Sequence, residues 1–144
     1  MLKIYLDNCC YNRPFDNQEQ DIVRLETEAK LIIQDRIRAG WYSLVWSFVL
    51  HGENSKNLSF DKKMQIGKWE YIAKEYCHSS IDVFDEAEKF MAVGIKREDA
   101  LHLACAIKCN CDYLITTDKK FLNKNHLIKG IDIVNPMVFI MKEG

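Results

Sequence analysis

The chain has 144 residues, of which 48% are hydrophobic and 28% charged, with a formal net charge of −1. That length suits one domain with a sizeable core. The near-neutral balance excludes a global electrostatic drive toward nucleic acid or anionic lipid, so a polyanion must be held by local basic patches or metal. No apolar run approaches the ~20 residues that span a bilayer, and Met1 leads at once into a charged KIYLD, so a cytoplasmic protein without a membrane segment is expected.

Residues 2–6 form a short strand pattern ending at Asp7. The polar stretch from Asn8 to Asn17, containing Pro14, reads as a loop. From about 18 to 39, Ile22, Leu25, Ala29, Ile32 and Arg36/Ile37 recur at spacings of three and four, which marks one buried face, and Gly40 ends the helix. Residues 42–46 are a second strand, and Ser47 is placed to cap a short helix carrying Glu53. Ser59 opens a helix that runs to about Cys77, and Ile81–Phe84 reads as a third strand before a helix from Asp85 to Ala92. Residues 96 to 109 are helical, Tyr113–Thr116 is a fourth strand, and a short helix begins at Asp118. Ile131–Val134 is a fifth strand, and Pro136 suits the first turn of a last helix.

Strands alternating with helices predict an α/β three-layer sandwich, a central parallel sheet of about five strands flanked by helices, as one domain over 1–144. Six cysteines lack zinc-knuckle or redox spacing and read as reduced, mostly buried thiols. A nucleophilic Cys9 or Cys10 beside Asp7 is the minor alternative. His102, one turn past Asp99, reads as a packing residue, and Trp41, Trp46 and Trp69 as core or interface anchors.

Four acids, Asp7, Glu53, Asp99 and Asp118, each sit where an element meets a strand end. Taken singly, each has an ordinary explanation as a loop starter, cap, first-turn acid or solvated residue. Taken together, right-handed crossovers would carry them to one sheet edge, the place where open α/β sheets bind ligands. Clustered carboxylates repel unless a hard cation such as Mg2+ or Mn2+ joins them.

The initial YLDN, the W-S-x5-E segment ending in Glu53, the KREDALHLACA helix with Asp99 and the TTDKKF turn with Asp118 together resemble the PIN domain of VapC-type toxins. The resemblance extends from residue 2 to about 140. It implies a metal-dependent ribonuclease that cleaves RNA phosphodiester bonds with metal-activated water. Asp7, Asp99 and Asp118 would hold Mg2+ or Mn2+, and Glu53 would orient the attacking water. Asn8 and Thr116 would support these acids by hydrogen bonds. Lys120 stands where many such proteins have a further acid, which implies one firmly held cation rather than two. Arg13, Lys119 and Lys120 are candidate phosphate contacts. The resemblance also implies an antitoxin partner and a homodimer, with the helix from 59 to 77 offering apolar surface.

Two alternatives come from other classes. One is a catalytically weak PIN-like module that binds RNA or protein. The other is a phosphatase for small phosphate esters, disfavoured because Asn8 and Cys9 follow Asp7 in place of a D-x-D pattern.

Overall fold

The computed structural model describes all residues from 1 to 144. Five parallel strands, β1 (Leu2–Leu6), β2 (Tyr42–Ser47), β3 (Glu75–Cys77), β4 (Tyr113–Ile115) and β5 (Asp132–Val134), lie in the order β3-β2-β1-β4-β5. Eight helices surround them: α1 (Asn8–Asn12), α2 (Asp21–Arg38), α3 (Phe48–Ser55), α4 (Phe60–Ile72), α5 (Ile81–Ala92), α6 (Arg97–Lys108), α7 (Lys119–Leu122) and α8 (Pro136–Glu143). This is the expected α/β sandwich.

Strand alternation makes the layers. Tyr42 and Tyr113 direct their rings edge-on to Phe139 of α8, whereas Tyr5, on the other face of β1, meets His102 of α6. Trp46, almost wholly buried in β2, packs on Tyr11 of α1 at a centroid distance of 5.0 Å. Burying side chains of this size contributes about 1.5–3 kcal/mol each, and 34 buried residues form one continuous core.

The strand order has one reversal. The chain steps outward from β1 to β2 and β3, then returns to the other side of β1 for β4 and β5. Pairing of Leu6 with Ile115 sets the ends of β1 and β4 side by side, so Asp7 and Thr116 leave the sheet as neighbours. That is the switch-point crevice where parallel sheets take ligands.

Three local expectations are corrected. The segment after Asp7 is not an irregular loop. Asn8–Asn12 is a helix whose first amide donates to Asp7 Oδ1 at 2.7 Å, and Arg13–Phe15 is a 3-10 turn that accepts Pro14 at its start. Ile81–Phe84 is not a strand but the first turn of α5, capped by Ser80 Oγ accepting from Val83 N at 3.3 Å. The third strand is Glu75–Cys77, carved from the end of the helix expected to reach Cys77. Ala73 turns to an extended conformation, and Lys74 N donates to Leu44 O at 2.9 Å, so the chain joins β2.

Candidate active site

Asp7 is fixed before any ligand arrives. Besides the Asn8 amide on Oδ1, the fully buried Thr116 hydroxyl donates to Oδ2 at 2.8 Å. Thr116 Oγ1 also accepts from Asp118 N at 3.1 Å, which links the starts of α1 and α7. Asn8 contributes its backbone amide. Cys9 enters the same corner: its Sγ lies 3.3 Å from Thr116 Oγ1 and 3.5 Å from Asp7 Oδ2, and accepts from Thr117 N at 3.3 Å.

Asp118 has two occupations. Oδ1 caps α7 by accepting from Lys120 N at 2.9 Å and Phe121 N at 3.3 Å. Oδ2 lies 3.6 Å from Lys96 Nζ, and the same ammonium stands 4.0 Å from Asp99 Oδ2. The capping explanation and the site explanation for Asp118 therefore both hold, one per oxygen.

Asp99 is buried in the first turn of α6. Burial, with the negative charges of Asp7 and Asp118, raises its pKa to about 7, against the lowering influence of Lys96 and His102. A carboxyl held that high at a crevice lacks positive charge.

His102, one turn along α6, joins the remaining acids. Its Nε2 faces Glu53 Oε1 at 2.5 Å and Asp7 Oδ1 at 3.4 Å. The Glu53 contact is short, and neither Glu53 Oε1 nor His102 Nε2 has another hydrogen-bond partner, so the pair depends on each other. On the other side of the ring, Nδ1 is 2.6 Å from the Tyr5 hydroxyl, itself 2.6 Å from Ser47 Oγ. Burial opposes a charged imidazole, but Asp7, Glu53 and Asp99 outweigh it and raise the pKa above the ordinary histidine value. His102 is thus part of the site rather than simple packing. Its spacing from Asp99 was the available signal, since i and i+3 share a helix face.

The four acids are linked in pairs by basic groups, Asp7 and Glu53 through His102 and Asp99 and Asp118 through Lys96. No group of three His, Cys, Asp or Glu side chains is arranged to hold a metal ion. A magnesium-type ion held here would have to rest on one or two carboxylates and complete its shell with water and substrate phosphate. The raised Asp99 carboxyl, facing Asp7 and Asp118, is the group a divalent cation would relieve.

The basic residues divide. Lys119 and Lys120 are exposed beside Asp118, and Lys120, Lys124 and Lys96 line a cavity of about 140 Å3 that includes Asp99. Arg13 does not stand free for phosphate, a correction to its expected role. Its Nε and Nη2 donate to the buried Glu26 Oε1 at 3.0 and 2.8 Å, and Nη1 donates to Asp16 at 3.0 Å. Glu26 Oε2 accepts from Asn135 at 2.5 Å, so this network ties the first turn, α2 and the start of α8 together. All six cysteines are free, four of them buried.

A five-stranded parallel sheet with carboxylates gathered at its switch point defines an α/β protein of PIN-like fold. No family model matches the chain, and no curated protein matches it in sequence. Among solved structures, the chain is similar to one from the VapBC2 complex of Rickettsia felis bound to a DNA fragment from its promoter, with a TM-score of 0.58 at 14% identity. The match covers 93% of this chain and 98% of that one. It is also similar to a chain of VapBC-1 from nontypeable Haemophilus influenzae, with a TM-score of 0.59 at 15% identity over 94% and 99% of the two chains. At these identities the likeness is one of fold, along nearly the whole length. No helix is long and apolar enough to cross a membrane.

Proposed function

We propose that the chain is a metal-dependent endoribonuclease and the toxin of a toxin–antitoxin pair. The observation that carries this reading is the meeting of Asp7, Asp99 and Asp118 at the β1/β4 switch point, where burial and then the charges of Asp7 and Asp118 raise the Asp99 pKa to about 7. The likeness in fold to chains of two VapBC complexes supports the toxin assignment and an antitoxin partner.

Asp7 and Asp99 would hold Mg2+ or Mn2+, with Asp118 Oδ2 completing the acidic wall. When bound, such an ion supplies Lewis-acid polarisation of a phosphoryl oxygen and lowers the pKa of water. The residues of the chain do the positioning. Asn8 N and Thr116 Oγ1 hold both oxygens of Asp7, so this carboxylate costs little to order. Glu53, which shares His102 Nε2 with Asp7, orients the attacking water and accepts its proton. His102 fixes Glu53 relative to Asp7 and offsets their repulsion. Lys119 and Lys120 contact the RNA backbone, and Lys124 adds to the same rim.

Exposed Phe60, Met64 and Tyr71 on α4 offer apolar surface for a second copy of the chain. A second reading has one specific support. Lys96 and His102 already offset part of the acidic charge, as they would in a PIN-like module that binds RNA or protein without cutting it.

Incubating purified protein with RNA and Mg2+ or Mn2+, with and without chelator, separates the two. Cation-dependent cleavage lost in D7A and D99A is expected. RNA binding without cleavage under every cation tried would favour the binding module.

A further inference from the structure

A second chemical feature lies away from the carboxylates. A cavity of about 330 Å3 opens between α2, α4 and the Arg13–Phe15 turn. Its lining includes Lys30, Arg38 and Lys68 but no carboxylate.

Lys30 is the unusual member. It is only 4% exposed, yet its ammonium makes no ion pair, and it lies over the neutral ring of Tyr11, 5.7 Å away at the centroid. Burial, with repulsion from Arg38, lowers its pKa to about 8 despite an opposing influence from Cys10. Two more lining residues carry buried polar atoms without partners, the Tyr11 hydroxyl and Gln34 Nε2. Arg38 lies over the Trp69 ring, and its one carboxylate contact, Asp35 at 3.6 Å, is exposed. A buried amine without a counter-charge is costly, and protein interiors normally pair it.

We propose that this cavity binds a small organic anion, a terminal phosphate or carboxylate held by Lys30 and flanked by Arg38 and Lys68, with an apolar or planar body against Phe15. The size sits at the lower end of small-molecule sites. The depth of Lys30 selects a terminal anion, because the phosphate of an RNA chain is flanked on both sides and cannot be inserted end-on. The site is independent of the nuclease reading, since none of these residues belongs to the acidic crevice.

Calorimetric titration of the full chain in EDTA, at constant ionic strength, tests this with three probes: adenosine monophosphate, benzoate and uncharged adenosine. Binding of the monophosphate identifies a phosphate ligand and binding of benzoate a carboxylate, while adenosine should bind at least tenfold more weakly than its monophosphate. Lys30→Met should weaken the binding anion about tenfold or more, the loss of one charge-assisted contact, with metal-dependent RNA cleavage unchanged. The exposed Arg38→Gln gives a second variant that keeps the fold and should weaken binding several-fold. Failure of both anions to bind, or wild-type affinity in both variants, overturns the proposal.

Discussion

Glu53 on α3 and His102 on α6 meet at 2.5 Å, although 49 positions separate them in the chain. The contact sets the imidazole against Glu53 and Asp7, whose carboxylates favour its protonated form and would otherwise repel each other. His102→Asn should therefore leave Glu53 and Asp7 underneutralised. We expect cleavage to fall at least tenfold with the RNA KM little changed, and stability to fall by about 1–3 kcal/mol. Steady-state kinetics and urea unfolding on the same preparation measure both.

Asp99 makes stability depend on pH in a defined direction. Its folded pKa of about 7 lies above the ordinary carboxyl value of 3.8, so between those values the folded chain binds the extra proton. Its stabilising contribution is full below pH ~4 and is lost as pH rises through 7. The raised pKa of His102 acts with the same sign, above the ordinary histidine value. Melting of the metal-free protein should thus fall from pH 5 to pH 8. Asp99→Asn should flatten that slope, and millimolar Mg2+ or Mn2+ should raise the melting temperature most at the alkaline end.

Thr116 is expected to act through Asp7. Thr116→Val keeps shape but removes the donor to Asp7 Oδ2 and the acceptor for Asp118 N. Supporting contacts of this kind are worth about 10–100-fold in metal affinity. A shift of that size in the cation concentration needed for half-maximal cleavage, restored by Thr116→Ser, is the predicted result.

Arg13 and Lys120 should separate stability from RNA contact. Arg13→Ala strands the buried Glu26 carboxylate and should cost about 3 kcal/mol in denaturant unfolding, leaving the RNA KM of the folded fraction unchanged. Lys120→Ala should barely alter unfolding. It should weaken RNA binding and reduce the slope of log K against log salt by about one.

Asp7 and Asp118 were legible in the sequence because each follows an apolar run that becomes a strand, whereas Asp99 opens α6 directly after α5 and Glu53 lies within α3, so their places depend on how those helices pack. Asp7 and Asp118 show how the ordinary explanation and the functional one coexist, since both also cap helices with one oxygen. His102 was harder to read. Its helical spacing from Asp99 was visible, but its pairing with Glu53 depends on how α3 and α6 pack. Arg13 was misread for the same reason, because Glu26 lies across a turn whose path is tertiary. The exchange of Ile81–Phe84 for Glu75–Cys77 as the third strand was decided by Ser80 capping one segment as a helix and by the β2 edge accepting the other, whose Glu75 gave no apolar signal. Lys30 sits within an amphipathic helix and gave no signal until α4 closed over it.

On the proposed reading, clustered carboxylates at the β1/β4 switch point hold a cation that drives RNA hydrolysis. Asp99→Asn, nearly isosteric and lacking the charge, tests it most directly when compared with the unaltered chain for RNA cleavage across a Mn2+ titration. Cation-dependent cleavage by the unaltered chain and at least a hundredfold loss in the variant are expected, with the variant's melting temperature in EDTA equal or higher. Cleavage by Asp99→Asn at the unaltered rate, or cleavage by either protein undiminished in EDTA, would contradict that reading.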